Sequence, residues 1–268
     1  MRIILSVVLA LVLAGCETVA TTQPGAVGID RQQQMMVSAQ EIDKAAAQEY
    51  RKVIAQAQAK GVLDRNAQHV QRVRSVMNRI VPQTSVFRAD ARGWQWEVHA
   101  IQDNQLNAWA MPGGKMVVYS GLIEKLSLTD DELAAIMGHE IAHSLREHAR
   151  ERVSREMATG LGVGIAGALL GLGDVGQELA GMVADVTFNK PHSRAHETEA
   201  DRIGVELAAR AGYNPNAAVS LWQKMLQASG SGGPQFLSTH PSPETRLTDL
   251  RAYADRVMPL YQQSQARR

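Results

Sequence analysis

Hydrophobic and polar positions along the chain change period twice, and the changes mark out its elements. Residues 31–60 mix Gln, Ala, Lys and Glu with spaced Met, Val, Ile and Tyr, the pattern of an amphipathic helix that Gly61 ends. A second helix is expected over about 65–81, where Val70, Val73, Met77 and Ile80 recur at helical spacing and Pro82 follows. The period then drops to two: Trp94 to Ile101 alternates as a strand, Met111-Pro112-Gly113-Gly114 turns, and Lys115 to Tyr119 makes a second strand. Helical spacing returns after Thr129-Asp130-Asp131-Glu132, a capping box with Thr129 as N-cap, and runs through Leu133, Ile136, Met137, Ile141 and Leu145. A helix over about 243–258 closes the pattern. The expected fold is α+β and mostly helical, with a small antiparallel sheet and an N-terminal helical arm.

The first residues follow none of these periods. Met1-Arg2 precedes an uncharged run, Ile3 to Gly15, that is too short to span a bilayer and has the form of a secretory signal. Its end, Leu13-Ala14-Gly15-Cys16, resembles the bacterial lipobox, in which the cysteine is acylated and becomes the first residue of the mature chain. Residues 1–15 are therefore expected as a lipoprotein signal peptide and 16–29 as a flexible tether rich in Thr, Gly and Pro. Residues 30–261 follow as one domain, with an arm at 30–82 and a core at about 94–258, then a polar tail at 262–268. Lipidation implies a protein tethered to a membrane rather than spanning it. Glu17 stands where Asp commonly marks inner-membrane retention, which favours the outer membrane.

Composition narrows the chemistry. The 28 Lys and Arg balance 27 Asp and Glu, which argues against a nucleic-acid binder. A lone cysteine excludes a disulfide framework and cysteine-rich zinc modules. Residues 139–143 read His-Glu-Ile-Ala-His. Two histidines at i and i+4 on one helix face can both reach one Zn²⁺. With eight histidines among 268 residues, independent residue usage yields roughly 0.013 chance occurrences of this motif. A catalytic zinc keeps three protein ligands and leaves a position for water. His148, five residues past His143, lies about 140° around the helix and is expected in solvent. In Ser193-Arg194-Ala195-His196-Glu197-Thr198-Glu199-Ala200-Asp201, the carboxylates of Glu197 and Asp201 share a face. One can bind zinc while the other accepts the free N–H of a ligand histidine. His196 and Glu199 are reserve candidates.

Four segments in order, Asn107 to Gly114, His139 to His143, Ser193 to Asp201 and Thr239 to Arg246, resemble the HtpX/CaaX-protease-type zinc metallopeptidases. More narrowly they resemble the bacterial periplasmic lipoprotein branch, the BepA- and LoiP-like proteins, without the helical repeats that follow the domain in BepA. The resemblance implies a zincin-like metallopeptidase of the gluzincin type, a metalloendopeptidase acting in envelope protein quality control. One Zn²⁺ would be held by His139, His143 and Glu197, with Glu140 as general base and Asp201 orienting a ligand histidine. His240, from the His-Pro motif, would donate to the oxyanion or occupy the fourth zinc position in a latent state, with Arg246 supporting it or pairing nearby. Asn107 and the Ala108 backbone, on an edge at 105–111, would bind an extended polypeptide by strand addition. The competing class is an envelope assembly factor or holdase with a structural or latent zinc, and outer-membrane assembly proteins are possible partners in either case. Met157 to Gly173, seventeen uncharged residues with six glycines, reads as a flap over the groove, a buried hairpin or a membrane-dipping segment.

Overall fold

The computed structural model describes residues 17–159, 175–228, 234–241 and 245–267. The expected signal peptide, Cys16, the 160–173 part of the glycine-rich stretch and the Pro243 end of the last expected helix lie outside the described residues.

The segment read as a tether is instead packed. Strand β1 (Glu17–Val19) pairs antiparallel with β2 (Gln33–Met35). Between them Val27 and Ile29 are buried in the main core. The Gln23 N–H donates to the Phe87 carbonyl at 2.7 Å and the Val27 N–H to Glu206 Oε2 at 2.9 Å. Two apolar side chains and two long-range backbone bonds outweigh the turn-rich composition. This strap also shortens the expected arm helix. Helix α1 (Ala39–Ala59) starts late because Ser38 and Glu41 form a reciprocal capping box.

Helix α2 (Ala67–Ile80), capped by Asn66, leads through two 3₁₀ turns, Val81–Val86 and Ala89–Gly93, into the sheet. Strands β3 (Glu97–Ile101), β4 (Ala108–Met111) and β5 (Lys115–Tyr119) lie in the order β3-β5-β4. The sheet is mixed rather than wholly antiparallel: β4 runs antiparallel to β5, and β3 runs parallel to it. The two-residue period of β5 then feeds two cores. Met116 and Val118 pack with Val98 and Ala108 in the larger one, while Val117 packs with Trp109 and Met111 in the smaller.

After α3 (Ser120–Lys125) comes α4 (Asp130–Leu145), buried from Leu133 to Leu145. Then follow α5 (His148–Ala158), α6 (Val175–Phe188), α7 (Arg194–Arg210), α8 (Ala217–Gln227), α9 (Gln235–Thr239) and α10 (Arg246–Ala266). The last helix continues through Pro259 well past the expected end near 258, and Gln265 Nε2 near its end donates to the Gly212 carbonyl at 2.9 Å. Helices α2, α4, α7, α8 and α10 gather round the larger core, and α1 and α6 cover the smaller one on the other sheet face. Helix α4 is thus held between the edge strand β4 and helix α7, and that placement builds the site. Among the described residues, no helix is long and apolar enough to cross a membrane.

Candidate metal centre

Helices α4 and α7 meet backbone to backbone. A Cβ on Gly138 would stand 2.8 Å from the Gly204 carbonyl oxygen, and one on Gly204 would stand 2.7 Å from the His139 nitrogen. Only hydrogen fits on either side of this crossing. Thr129 and Glu132 cap α4, and Ser193 caps α7 by accepting from the His196 N–H. These caps fix the start of each helix, and the glycine crossing fixes their separation.

The crossing brings four predicted residues to one point. His139 Nε2 and His143 Nε2 lie 3.0 Å apart. Glu197 Oε1 is 3.4 Å from His143 Nε2, and its Oε2 is 3.7 Å from His139 Nε2. His240 joins them, so that one atom each from His139, His143, Glu197 and His240 lies within 4.8 Å of the others. Asp201 Oδ1 stands 2.9 Å from His139 Nδ1. Arg246 does not pair with His240. Its Nη1 is 2.9 Å from Glu197 Oε2, its Nη2 donates to Asp201 Oδ1 at 2.7 Å, and its guanidinium lies over the Trp222 ring. Glu140 Oε2 accepts the Ala110 N–H of β4 at 3.0 Å, and its Oε1 faces His240 Nε2 at 3.3 Å. The His240 ring stacks on Phe236 at 4.0 Å.

Without a cation at the site, burial favours the neutral forms. It pushes His139, His143 and His240 well below the usual imidazole range, so their ring nitrogens offer lone pairs rather than charge. It pushes Glu140 well above the usual carboxyl range, and the Glu197 charge adds to that. Glu197 and Asp201 are also raised by burial, with Arg246 pulling both back. The Arg246 guanidinium from α10 thus sits against two of the three buried carboxyls, Glu197 and Asp201.

This donor set fits a zinc ion. Two imidazole nitrogens on one tetrahedral zinc stand ~3.3 Å apart, close to the separation seen between His139 and His143. Glu197 Oε1, Glu140 Oε1 and His240 Nε2 are buried without a hydrogen-bond partner among the described residues, while Glu197 Oε2 meets only Arg246 and His139. Buried acceptors left unbonded cost several kcal/mol unless a cation or a donor meets them.

Other predicted residues land elsewhere. His148, expected in solvent, is fully buried because α4 ends at Leu145 and Glu147, at φ 49°, redirects the chain into α5. Its position therefore does not follow the α4 helical wheel. His196 and Glu199 are buried too, but beside His148 rather than at the metal point. Ala108 lies on β4, and Asn107 precedes it with its side-chain oxygen accepting the Ala108 N–H at 3.0 Å. Two residues escaped the sequence reading. His192 places its ring 4.1 Å from that of His143 and 4.9 Å from that of His240. Arg152, buried, donates to the carbonyls of Val186 and Lys190, and burial pushes it down to about 10. The signal for His192 was its place one residue before the Ser193 cap. A cleft lined by Trp109, Ala110, Glu140, His143, His192 and His240 opens beside the group.

The sequence profile of Peptidase family M48 matches residues 67–254, about seven-tenths of the chain, and spans every residue of this site. The chain belongs to peptidase family M48. The M48 peptidases are zinc metallopeptidases, and the similar proteins include metalloendopeptidases. The mitochondrial metalloendopeptidase OMA1 of Schizosaccharomyces pombe is 37% identical over 158 residues, 58% of this chain and 46% of that protein. The human mitochondrial metalloendopeptidase OMA1 is 33% identical over 176 residues, 61% of this chain and 32% of that one. The beta-barrel assembly-enhancing protease of Escherichia coli K12 is 32% identical over 173 residues, 61% of this chain and 35% of that one. The matched part thus spans half or less of the length of each of these relatives.

Proposed function

We propose that this M48 chain is a zinc-dependent endopeptidase of the bacterial cell envelope, binding one Zn²⁺ through His139, His143 and Glu197 and hydrolysing extended or misfolded envelope polypeptides. The observation that carries the reading is Glu140. A buried carboxyl beside two ligand-disposed histidines accepts the Ala110 N–H on one oxygen and makes no hydrogen bond on the other, which faces His240 Nε2 at 3.3 Å and is left to take a proton. A bound zinc would polarise the scissile carbonyl and acidify the attacking water. Glu140 takes the proton as the water oxygen adds to the carbonyl carbon, then hands it to the amine nitrogen as the C–N bond breaks. Asp201 holds the His139 ring, and Arg246 holds both Asp201 and Glu197. His240, across from Glu140, is the donor for the oxyanion.

Substrate would add to β4. This strand is an edge, and the Tyr119 N–H bonds the Asn107 carbonyl, so by alternation the Ala108 and Ala110 backbone groups point away from β5. Asn107 currently occupies the Ala108 N–H and would yield it to an extended peptide. The sequence resemblance to the HtpX/CaaX type and its lipoprotein branch, and the Leu13 to Cys16 motif, support a periplasmic enzyme anchored by lipid at Cys16 to the outer membrane. The similarity to a beta-barrel assembly-enhancing protease supports outer-membrane assembly proteins as partners.

A second reading has one observation in its favour. His240 Nε2 stands close enough to complete a four-residue ligand set. With His240 on the metal the enzyme would rest latent, and an assembly factor or holdase could use the same fold. Casein cleavage by the wild type and by Glu140→Gln at matched zinc content separates the cases. The peptidase reading expects cleavage by the wild type and loss of about 10²–10⁴-fold in the variant. Equal cleavage by both removes Glu140 from its role, and cleavage by neither leaves the assembly factor. Zinc retained in full by Glu197→Ala would remove that residue from the ligand set.

A further inference from the structure

The two histidines of the metal centre are supported differently. His139 Nδ1 meets a carboxylate directly, Asp201 at 2.9 Å. His143 Nδ1 meets another histidine, His148 Nδ1 at 2.8 Å. Two ring nitrogens at that distance share one proton between them, so one donates and the other accepts. With His143 Nε2 turned to the metal point, its Nδ1 carries the hydrogen and His148 Nδ1 accepts it. The remaining nitrogen of His148, Nε2, then carries a hydrogen of its own and donates it to Glu199 Oε2 at 3.1 Å. No other tautomer of His148 satisfies both contacts.

Glu199 is in turn held from two sides. Arg146 Nε donates to its Oε2 at 2.8 Å, and Arg31 of the N-terminal strap donates to both its oxygens. Arg31 also forks Glu151 through Nη1 and Nη2 at 2.7 and 2.8 Å, and Gln33 donates to Glu151 Oε2 at 2.6 Å and to the Arg146 carbonyl at 2.7 Å. His196 stacks on His148 with rings 4.2 Å apart and 12° from parallel, which fixes the ring plane. His148, Glu151 and His196 do not make a second metal site as they stand. Parallel stacked imidazoles aim their in-plane lone pairs poorly at one ion, and Glu151 is already taken by Arg31.

We propose that His148 is the positioning residue for the ligand His143, and that the strap, through Arg31 and Glu199, holds His148 in place. Residues 17–35 are then part of the metal centre, although none of them reaches the metal point. The inference rests on the zinc reading above and adds to it a path of 112 residues in sequence, from Arg31 to His143.

The test is zinc affinity of the full chain by chelator competition, together with the visible spectrum of the cobalt-substituted protein. Three variants are compared, His148→Phe, Arg31→Met and the double variant, and thermal unfolding of the metal-free forms controls for folding. His148→Phe should weaken zinc by about 10–100-fold and shift the cobalt bands. Arg31→Met should weaken it by up to about tenfold. The double variant should be no weaker than His148→Phe, because the strap acts through His148. His148→Asn, which keeps an acceptor near the Nδ1 position, should recover part of the loss and stands in if His148→Phe does not fold. Unchanged zinc affinity in His148→Phe or Arg31→Met overturns the proposal. So does an Arg31→Met loss that persists undiminished in the His148→Phe background, or a His148→Asn variant as weak as His148→Phe. A wild type that binds no zinc would instead strike the zinc reading itself.

Discussion

Two clusters of histidines and carboxyls stand back to back across α7. One face of that helix carries Glu197 and Asp201 toward His139 and His143, and the next carries His196 and Glu199 toward His148 and Glu151. Residue types and burial are nearly the same, but the charge balance is opposite. In the second cluster Arg31 and Arg146 satisfy Glu151 and Glu199 almost bond for bond. In the first, Arg246 pairs with Glu197 and Asp201, and among the described residues Glu140 Oε1 and Glu197 Oε1 make no hydrogen bond. A buried cluster compensated by arginines is a strut; one left short of positive charge is prepared for a cation.

The largest effect that would sharpen this contrast is metal removal. Stripping zinc should lower stability by ~4 kcal/mol relative to protein in 1,000-fold excess over its Kd, a melting shift of roughly 10 °C in scanning calorimetry. No shift on chelation would put the two clusters in one class. Next comes Arg146→Met in the strut. Removing a fully buried guanidinium leaves Glu199 partly uncompensated and should cost ~3 kcal/mol in urea unfolding, while the protein still binds zinc. Loss of zinc without loss of stability would reverse the assignment of the two clusters. Gly204→Ala should cost about 1–3 kcal/mol and weaken zinc as well, since its Cβ presses on the His139 backbone; a neutral result would mean that the helices separate freely.

The smallest effect per group is that of pH. Burial holds His139, His143, His148, His192 and His240 well below the usual imidazole range. In the unfolded chain the same histidines titrate near ~6.5. Below that pH the unfolded state binds more protons, so stability falls as pH falls, by up to ~1.4 kcal/mol per unit for each histidine. Urea titrations of metal-free protein between pH 7.5 and 5.5 should show this slope, and zinc should flatten it by competing with the protons. Glu140, Glu197 and Asp201, raised by burial, oppose this slope, so a metal-free stability that rises as pH falls would mean that the carboxyls outweigh the histidines.

What the sequence revealed and what it hid divide along contact range. The His139 to His143 spacing, the Thr129 and Glu132 box and the Glu197 to Asp201 pair are i to i+4 relations, and helical geometry alone makes them readable. The span of α2, read from its apolar spacing and Pro82, followed the same local logic. His148 was misread because the wheel was carried past the end of α4, where the left-handed Glu147 resets the direction. The strap was taken for a tether because its partners, Phe87, Glu206 and Glu199, lie 64 to 179 residues away. The parallel pairing of β3 and β5 is likewise a choice made across an intervening strand. Side chains that act between distant elements leave no period in the chain, and the support proposed for His143 through His148, Glu199 and Arg31 is of that kind.

The glycine crossing of α4 and α7 has one more consequence. With main chain against main chain, no side chain stands between Gly138 and Gly204 whose rotamer could change with temperature or with repacking of the cores. The spacing of the donors across the two helices is a mechanical gauge block, its thickness set by atomic radii. Substitutions can accumulate in the cores on either side of the sheet, and the gap between the proposed ligands keeps its width.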